Sequence, residues 1–482
     1  MNAVKHLNTV PLVLAALLLS ACSLAPVYER PALPVDGAWP AAVAPAAAAA
    51  AAGPAVAAHT IAWQDFFQDE GLKQAIGMAL EHNRDLRVAI LNIERARALY
   101  QVQAADRLPS VNAGLSGARQ RVPDQLAPGG NGGVSSSYSA SVGVTAFELD
   151  LFGRVRNLSQ AALDRFAATE EARRAAQISL VAEVASVYEA VLADERLLAL
   201  SRQTLASRSE SHQRQIALRE QGASSEFDLR QSQSLLEAAK VALAQNTRQR
   251  ALDENALTVL VGRTLPDGIL PAAGANWDSD VMAELPAGLP SDLLAARPDI
   301  RRQEALLRAA NANIGVARAA FFPRISLTGA FGSSSNELSG LFDGGSRAWS
   351  FLPQISLPIF DGGRNRANLG VAKADRDIAV AQYDKTIQAA FREVADALAG
   401  RATLGEELRA VKAQESAEQV RYDLAKQRYD GGQSSYLEYL DAQRSLFAAQ
   451  QQTIRTSLGE LQNRIALYKV LGGGWRPSQN KG

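Results

Sequence analysis

Cysteine is nearly absent: the 482-residue chain has one, beside four histidines and three methionines. An intrachain disulfide is excluded, and little remains from which to build a metal centre or thiol chemistry. An excess of charge of either sign is missing too. Lysine plus arginine and aspartate plus glutamate both number 50, a formal net charge of zero. That disfavours a nucleic-acid partner, which calls for a basic excess. Beyond the N-terminus no eighteen residues run apolar without interruption, so no transmembrane helix is expected there. No Ser-His-Asp, metal or phosphate-loop pattern occurs in a fitting context, so neither an enzyme nor a bound cofactor is expected.

What is there begins at the N-terminus. Lys5 and His6 precede VPLVLAALLL, and LSAC ends at Cys22. A basic start, a short apolar run and a small-residue cleavage site make a signal peptide over 1–21. Leu-Ser-Ala-Cys resembles a bacterial lipobox, which implies cleavage before Cys22 and its acylation, as with palmitate. Acyl chains supply ~0.8 kcal/mol per buried methylene, and stable anchoring takes more than one. Ser23 follows in place of an aspartate that would favour inner-membrane retention, so the outer membrane is the expected address. Residues 22–62 then read as a lipidated N-terminus and an Ala/Pro-rich tether, with 38–58 of low complexity.

The remainder says the same thing twice. GASSEFDLRQSQSLL from Gly222 aligns with GQSSYLEYLDAQRSL from Gly432, an offset of 210, which Gly262 and Gly472 share. Asp85 pairs with Asp299 and Pro109 with Pro323 at 214, and Phe152 with Phe360 at 208. Two structural repeats are expected, 63–285 and 286–474, before a C-terminal tail at 475–482. In each, a helix ends at a proline, Pro109 or Pro323, which cannot continue it. Two segments of period two follow, about 110–121 and 137–149 in the first copy, about 324–333 and 348–360 in the second. Glycine- and serine-rich loops separate them.

Long helices come next. From Val155 to about Gln221 there is neither proline nor glycine, and a helix of that length spans ~100 Å. Val181, Val184, Val187 or Tyr188, Val191 and Leu198 form a narrow apolar stripe, as do Val380, Ile387, Val394 and Leu398. Such stripes suit lateral helix pairing, in a channel wall or in a solvated coiled coil.

Strands of ~10 residues just cross an outer membrane. Four cannot stand there alone, because open edges in hydrocarbon leave N–H and C=O groups unpaired. Closed barrels start at ~8 strands. Two copies of the chain would give eight with a filled interior; three would give twelve, wide enough to conduct.

These features, with ARPDIRRQEALLRAANANIGVARAAFFPRISLTG, PIFDGGRNRANL and YLEYLDAQRSLFAAQQQ, resemble the outer-membrane factors of tripartite efflux pumps, the TolC- and OprM-like efflux lipoproteins. The resemblance runs from Trp63 to Trp475. It implies a mixed α+β membrane protein and a homotrimer. A twelve-stranded transmembrane β-barrel would continue into a long α-helical barrel, the periplasmic tunnel. The channel would passively conduct drugs and toxic compounds. The partners implied are a periplasmic adaptor (membrane fusion) protein and a resistance-nodulation-division inner-membrane pump, with outer-membrane lipid around the barrel. Protein export by a type I system, metal-ion export, and a structural coiled-coil lipoprotein are the alternatives.

The family closes its periplasmic end with rings of acidic residues, and RYDGGQSSYLEYLDAQR is the matching stretch. Asp441 matches a ring aspartate, Glu438 a position that is acidic in some members, Leu437 an apolar constriction and Tyr429 a tyrosine of the polar network. Ser434 stands where some members carry an arginine, so the latch needs another cation: Arg421, Arg428 or Arg444. Independently, Glu438 and Asp441 at i and i+3 share a helix face. Three copies would make a narrow carboxylate ring whose mutual repulsion raises its pKa values. The first-copy equivalents are Asp228 and Gln231, so the acidic pair is not fully repeated. The hairpin tips at Gly222 and Gly431–Gly432 are candidate adaptor-docking points, and each glycine also fits a helix C-cap.

The stretches FELDLFGR and LPIFDGGR read as the joints between strand and long helix. Gly153, Gly362 and Gly363 allow the backbone to swing. Asp361 is placed to cap the helix start, while the role of Asp150 is open. Phe152 and Phe360 are read as the last apolar strand residues and as interfacial aromatics.

Overall fold

The computed structural model describes residues 23–35, 60–123, 125, 132–270, 282, 285 and 297–475. The signal peptide, Cys22 and the low-complexity stretch 38–58 lie outside them. The elements are helices α1 (Trp63–Phe66), α2 (Glu70–His82) and α3 (Arg84–Ala105), strands β1 (Val111–Val122) and β2 (Gly133–Leu149), and helices α4 (Arg154–Glu220) and α5 (Glu226–Val261). Helix α6 (Pro298–Ala319), strands β3 (Arg324–Ser335) and β4 (Arg347–Ser356), and helices α7 (Arg364–Asp430) and α8 (Tyr436–Val470) complete the order. By contacts the chain divides into two compact units. The first holds residues 1–32, 92–170 and 302–383; the second holds 33–91, 171–301 and 384–482. The division runs across the copies read from the sequence, not between them.

The first unit carries one antiparallel sheet in the order β1-β2-β3-β4. Three expected details change. β2 begins at Gly133, not about 137, and β4 ends at Ser356, not about 360. Phe152 lies in the turn after β2 ends at Leu149, and Phe360 in the connection after β4, so neither is a strand residue. The prolines do not end the preceding helices directly: α3 stops at Ala105 and α6 at Ala319, four residues before Pro109 and Pro323. Proline bars its predecessor from helical backbone. The last turn has already tightened to i→i+3 bonds, Leu108 N to Ala105 O at 2.9 Å and Phe322 N to Ala319 O at 3.0 Å. In β2 the alternation is broken by a bulge between Val144 and Phe147, where Ala146 takes a positive φ of 51°. Thr328 Oγ1 accepts its freed N–H at 3.0 Å.

The helices of this unit approach closely through small residues: Ala161, Ala309 and Ala312 form a buried cluster. The segment just after Cys22 is bound rather than tethered. Arg318 and Asn311 donate to the carbonyls of Leu24 and Pro26 at 3.0 and 2.7 Å. Arg30 bonds both oxygens of the buried Glu304 carboxylate, which Arg308 also holds at 2.8 Å. A Cβ at Gly315 would meet Ala25 N at 2.8 Å, so the strap lies flat only over glycine.

The second unit is helix on helix around aromatic anchors. Phe66 stacks on Tyr468 with ring centroids 4.1 Å apart, and Phe67 meets Phe66 edge-on at 4.8 Å. The apolar stripes do the packing expected of them. Val181, Val184, Tyr188, Val191 and Leu198 are buried on α4, and Ile387, Val394 and Leu398 on α7, whereas Val380 is half-buried. Among the described residues one helix, α4, has an eighteen-residue window with mean hydropathy 1.4. Half of that window is buried inside the protein. The apolarity is that of a packing stripe.

Between α4 and α5 the Asp194 carboxyl, 7% exposed, faces Asp253. Burial first, then the hydrogen bond and charge of Asp253, push Asp194 up to about 7, against the opposing pull of Arg250. Arg250 is itself taken up by Glu195 and Glu254 at 2.5 and 2.9 Å. A carboxyl raised on folding lowers stability as pH climbs from its ordinary value of 3.8 to about 7. Asp194→Asn should therefore unfold at a higher temperature than the parent at pH 8. The gap should narrow steadily toward pH 4 in thermal melts; a gap independent of pH would refute the shared-proton account.

Candidate functional site

Two helical hairpins of the second unit end in matching tips. At Gly222 (φ 73°) the N–H of Ala223 reaches Leu218 O at 2.8 Å and that of Gly222 reaches Arg219 O at 3.0 Å. At Gly432 (φ 70°) Gln433 N reaches Arg428 O at 2.8 Å and Gly432 N reaches Tyr429 O at 3.0 Å. Each is a Schellman closure, and only a residue at ease with positive φ completes it. Gly431 differs: its N–H continues the helix to Gln427 O at 3.0 Å, with no positive φ. Three residues on, Ser225 and Ser435 cap α5 and α8, accepting from Asp228 N at 3.1 Å and Glu438 N at 3.3 Å.

Beyond the caps the hairpins diverge. Asp441 is bonded by Arg421 and, at 2.7 Å, by Arg444. Arg428 pairs with Glu438 at 3.2 Å, and Arg421 also reaches Glu418 at 3.0 Å. All three candidate cations thus meet the acidic pair. Asp228, by contrast, takes its bond from the Ser225 hydroxyl at 2.6 Å, as part of the helix cap. The raised pKa expected of a ring concerns three copies; within one chain Asp441 has cations beside it. The Arg421 hydrogen bond, with Arg444 behind it, holds Asp441 below the usual carboxylate range. All five side chains of the latch are 40–69% exposed, so each pair contributes only ~0.2–1 kcal/mol.

Tyr429 works inside a tyrosine cluster. Its ring stacks on Tyr439 at 5.5 Å, and Tyr436, Tyr439 and Leu440 form the buried core of the tip. Its hydroxyl accepts from Gln215 Nε2 at 2.9 Å. Arg214 reaches Asp430 at 3.0 Å, Ser211 shares a hydrogen bond with Tyr436 at 2.9 Å, and Gln443 donates to Ser207 at 3.0 Å. These bonds tie the α7–α8 hairpin to α4. Sequence reasoning missed every partner on α4, more than two hundred residues away. Leu437 is 56% exposed and its repeat counterpart Phe227 is 72% exposed.

The joints belong to the first unit. Gly153 (φ 73°), Gly362 (φ 66°) and Gly363 (φ 89°) each sit immediately before a long helix. Asp361 accepts from Gly363 N at 2.9 Å and Asn365 N at 2.8 Å. Asp150 does the same work, accepting from Val155 N at 3.1 Å and Arg156 N at 2.7 Å. Phe152 is stacked on Phe322 at 4.7 Å, while Phe360 is 92% exposed. Only the second has the exposure expected of an interfacial aromatic.

An antiparallel four-stranded sheet continued by glycine-jointed helices of 67 residues, ending in paired hairpin tips, defines an outer-membrane channel subunit of the TolC-like type. Residues 75–263 and 289–473 match the model of the outer membrane efflux protein family. The solvent efflux pump outer membrane protein SrpC of Pseudomonas putida is 46% identical over 470 residues, 97% of this chain and 98% of its own. Outer membrane protein OprJ of Pseudomonas aeruginosa is 48% identical over 465 residues, 96% and 95% of the two chains. The crystal structure of the open state of the Neisseria gonorrhoeae MtrE outer membrane channel is similar with a TM-score of 0.84 at 38% identity, covering 94% of this chain and 99% of that one. The chain belongs to the outer membrane efflux protein family.

Proposed function

We propose that the protein is the homotrimeric outer-membrane channel of a tripartite efflux system. It passively conducts small toxic molecules delivered by a periplasmic adaptor and a resistance-nodulation-division pump, and performs no catalysis. The observation that carries this is the open sheet. β1 and β4 have no strand partner on their outer sides among the described residues. Both present large apolar side chains: Leu115 is 74% exposed, Trp349 76% and Ile355 69%. In hydrocarbon such edges must pair, and three copies close a twelve-stranded barrel.

In this reading Cys22 carries the acyl anchor and the strands cross the outer membrane. The hairpin tips form the periplasmic gate, and Gly222, Gly431 and Gly432 mark where the adaptor docks. An internal twofold repeat underlies the chain. It is supported by ties at equivalent places: Asn83 donates to Leu260 O at 2.8 Å, and Arg297, 214 residues later, to Val470 O at 3.2 Å. The relatives' printed names, which include solvent, toluene and antibiotic efflux, support hydrophobic and drug-like cargo.

The test is electrophoresis of the membrane-extracted protein with and without heating, followed by single-channel recording in planar bilayers. A heat-sensitive trimer that passes discrete current steps is expected. A species of monomer size in both lanes that carries no current would sink the assignment.

A further inference from the structure

The first unit contains a cavity of about 650 Å³ at the joint, between the last two turns of α6 and the first three of α7. That volume is typical of small-molecule sites. Its aromatic wall is the stacked pair Phe152 and Phe322. Asn313 and Asn368 line it, and neither carboxamide has a hydrogen-bond partner among the described residues; Asn365 Nδ2 is taken up by Ala320 O at 3.1 Å.

The charges around the cavity sort themselves. Arg154 and Arg324 are both spent on Glu148, each at 2.7 Å, and Asp150 is spent on the α4 cap. Arg364 and Asp375 remain, neither in an ion pair among the described residues, and they stand eleven residues, or ~16 Å, apart along α7. The wall is therefore neutral in sum, with opposite charges at opposite ends.

The helical wheel shows which way the cavity faces. At 100° per residue, the α6 positions that carry the strap, 304, 311, 315 and 318, fall within about 60° of one another. Asn313, Val316 and Ala317, which line the cavity, centre about 180° away from them, with Ala319 at its flank. The strap leads back within one residue to Cys22. Since, on the channel reading above, the acylated end lies on the outer wall, the cavity opens on the lumen.

We propose that this cavity is a resting site for cargo inside the conduit. It takes a neutral or zwitterionic aromatic amphiphile. The flat ring system lies against Phe152 and Phe322, and Asn313 and Asn368 bond the polar groups. Unpartnered amides beside an aromatic wall hold a solute weakly and reversibly, as conduction requires. This inference rests on the channel reading for its direction, but binding can be measured without current.

The zwitterionic dye rhodamine B serves as the probe, titrated with purified full-length trimer and followed by fluorescence polarisation. Saturable binding is expected, about tenfold weaker in Asn313→Leu/Asn368→Leu through the loss of two modest hydrogen bonds. Asn311→Leu, on the strap face of the same helix, should bind as the parent does. Open-pore conductance is recorded in parallel on the same preparations. The proposal is overturned if the parent shows no saturable binding, if the double variant binds equally well, or if Asn311→Leu weakens binding as much. Binding that follows the expected pattern with no current would uphold the site and sink the channel reading instead.

Discussion

Glu438→Ala/Asp441→Ala channels should leak on the order of a hundredfold more current at rest in planar bilayers and lose their preference for cations. Two of the latch pairs, Arg421–Asp441 and Arg428–Glu438, join the end of α7 to the start of α8. At about 0.5 kcal/mol for each exposed pair, the six of the proposed homotrimer would amount to roughly 3 kcal/mol, which sets the hundredfold scale. The Arg444–Asp441 pair lies within α8 and adds nothing to closure. Removing the carboxylates also strands Arg428 and Arg444 and leaves Arg421 with Glu418 alone, so the mouth gains positive charge and selectivity should turn toward anions. Arg421→Ala separates the two effects: it breaks one closing pair but keeps the Asp441 carboxylate. That variant should leak while remaining cation-selective. Unchanged conductance and selectivity in the double variant would remove Glu438 and Asp441 from the gate. The bonds of Tyr429, Tyr436 and Asp430 to α4 survive in both variants, so the hairpins stay folded while the mouth loosens.

What was legible in the sequence was periodic or local. Alternation marked β1 and β3 to within a residue or two, because these strands run without interruption. It failed at the start of β2, where GVSSS carries no apolar signal, and at the end of β4, where LPIF continues the alternation after the ladder has stopped at Ser356. The latch was legible because its partners sit on adjacent helical turns or across a single tight tip. Asp150 was not legible as a cap because a tight turn carries it back to residues five and six ahead. The strap left no trace, since an extended segment bound through its own carbonyls has no side-chain period.

Arg297→Ala should be the most destabilising single substitution in the second unit, costing about 3 kcal/mol. The guanidinium is buried, with its side chain 10% exposed. It forks onto both Asp299 oxygens at 3.0 and 2.6 Å, reaches Glu393 on α7 at 2.8 Å, and donates to Val470 O at the end of α8 at 3.2 Å. One side chain thus ties the start of α6 to two other helices. Its own desolvation opposes the charged form, but the carboxylates of Asp299 and Glu393 outweigh that and raise its pKa. Truncation leaves the Val470 carbonyl without its donor and both acids without their cation. The acids, 36% and 40% exposed, recover water, which keeps the loss below the upper range for a fully buried pair. Arg297→Lys should restore less than half of the stability, because a single ammonium cannot fork onto Asp299 and still reach Glu393 and Val470. Asp299→Ala should cost less than Arg297→Ala, as it spares the two longer-range contacts. Arg297→Asn, which copies the residue at the equivalent place, Asn83, should also fall short. Asn83 reaches only Leu260 O with its amide and caps the first turn of α3 through Leu86 N at 2.9 Å. The midpoint of thermal unfolding, and protease sensitivity of the extracted protein, would rank the variants. A parent-like Arg297→Ala would mean that helix packing alone holds the second unit together.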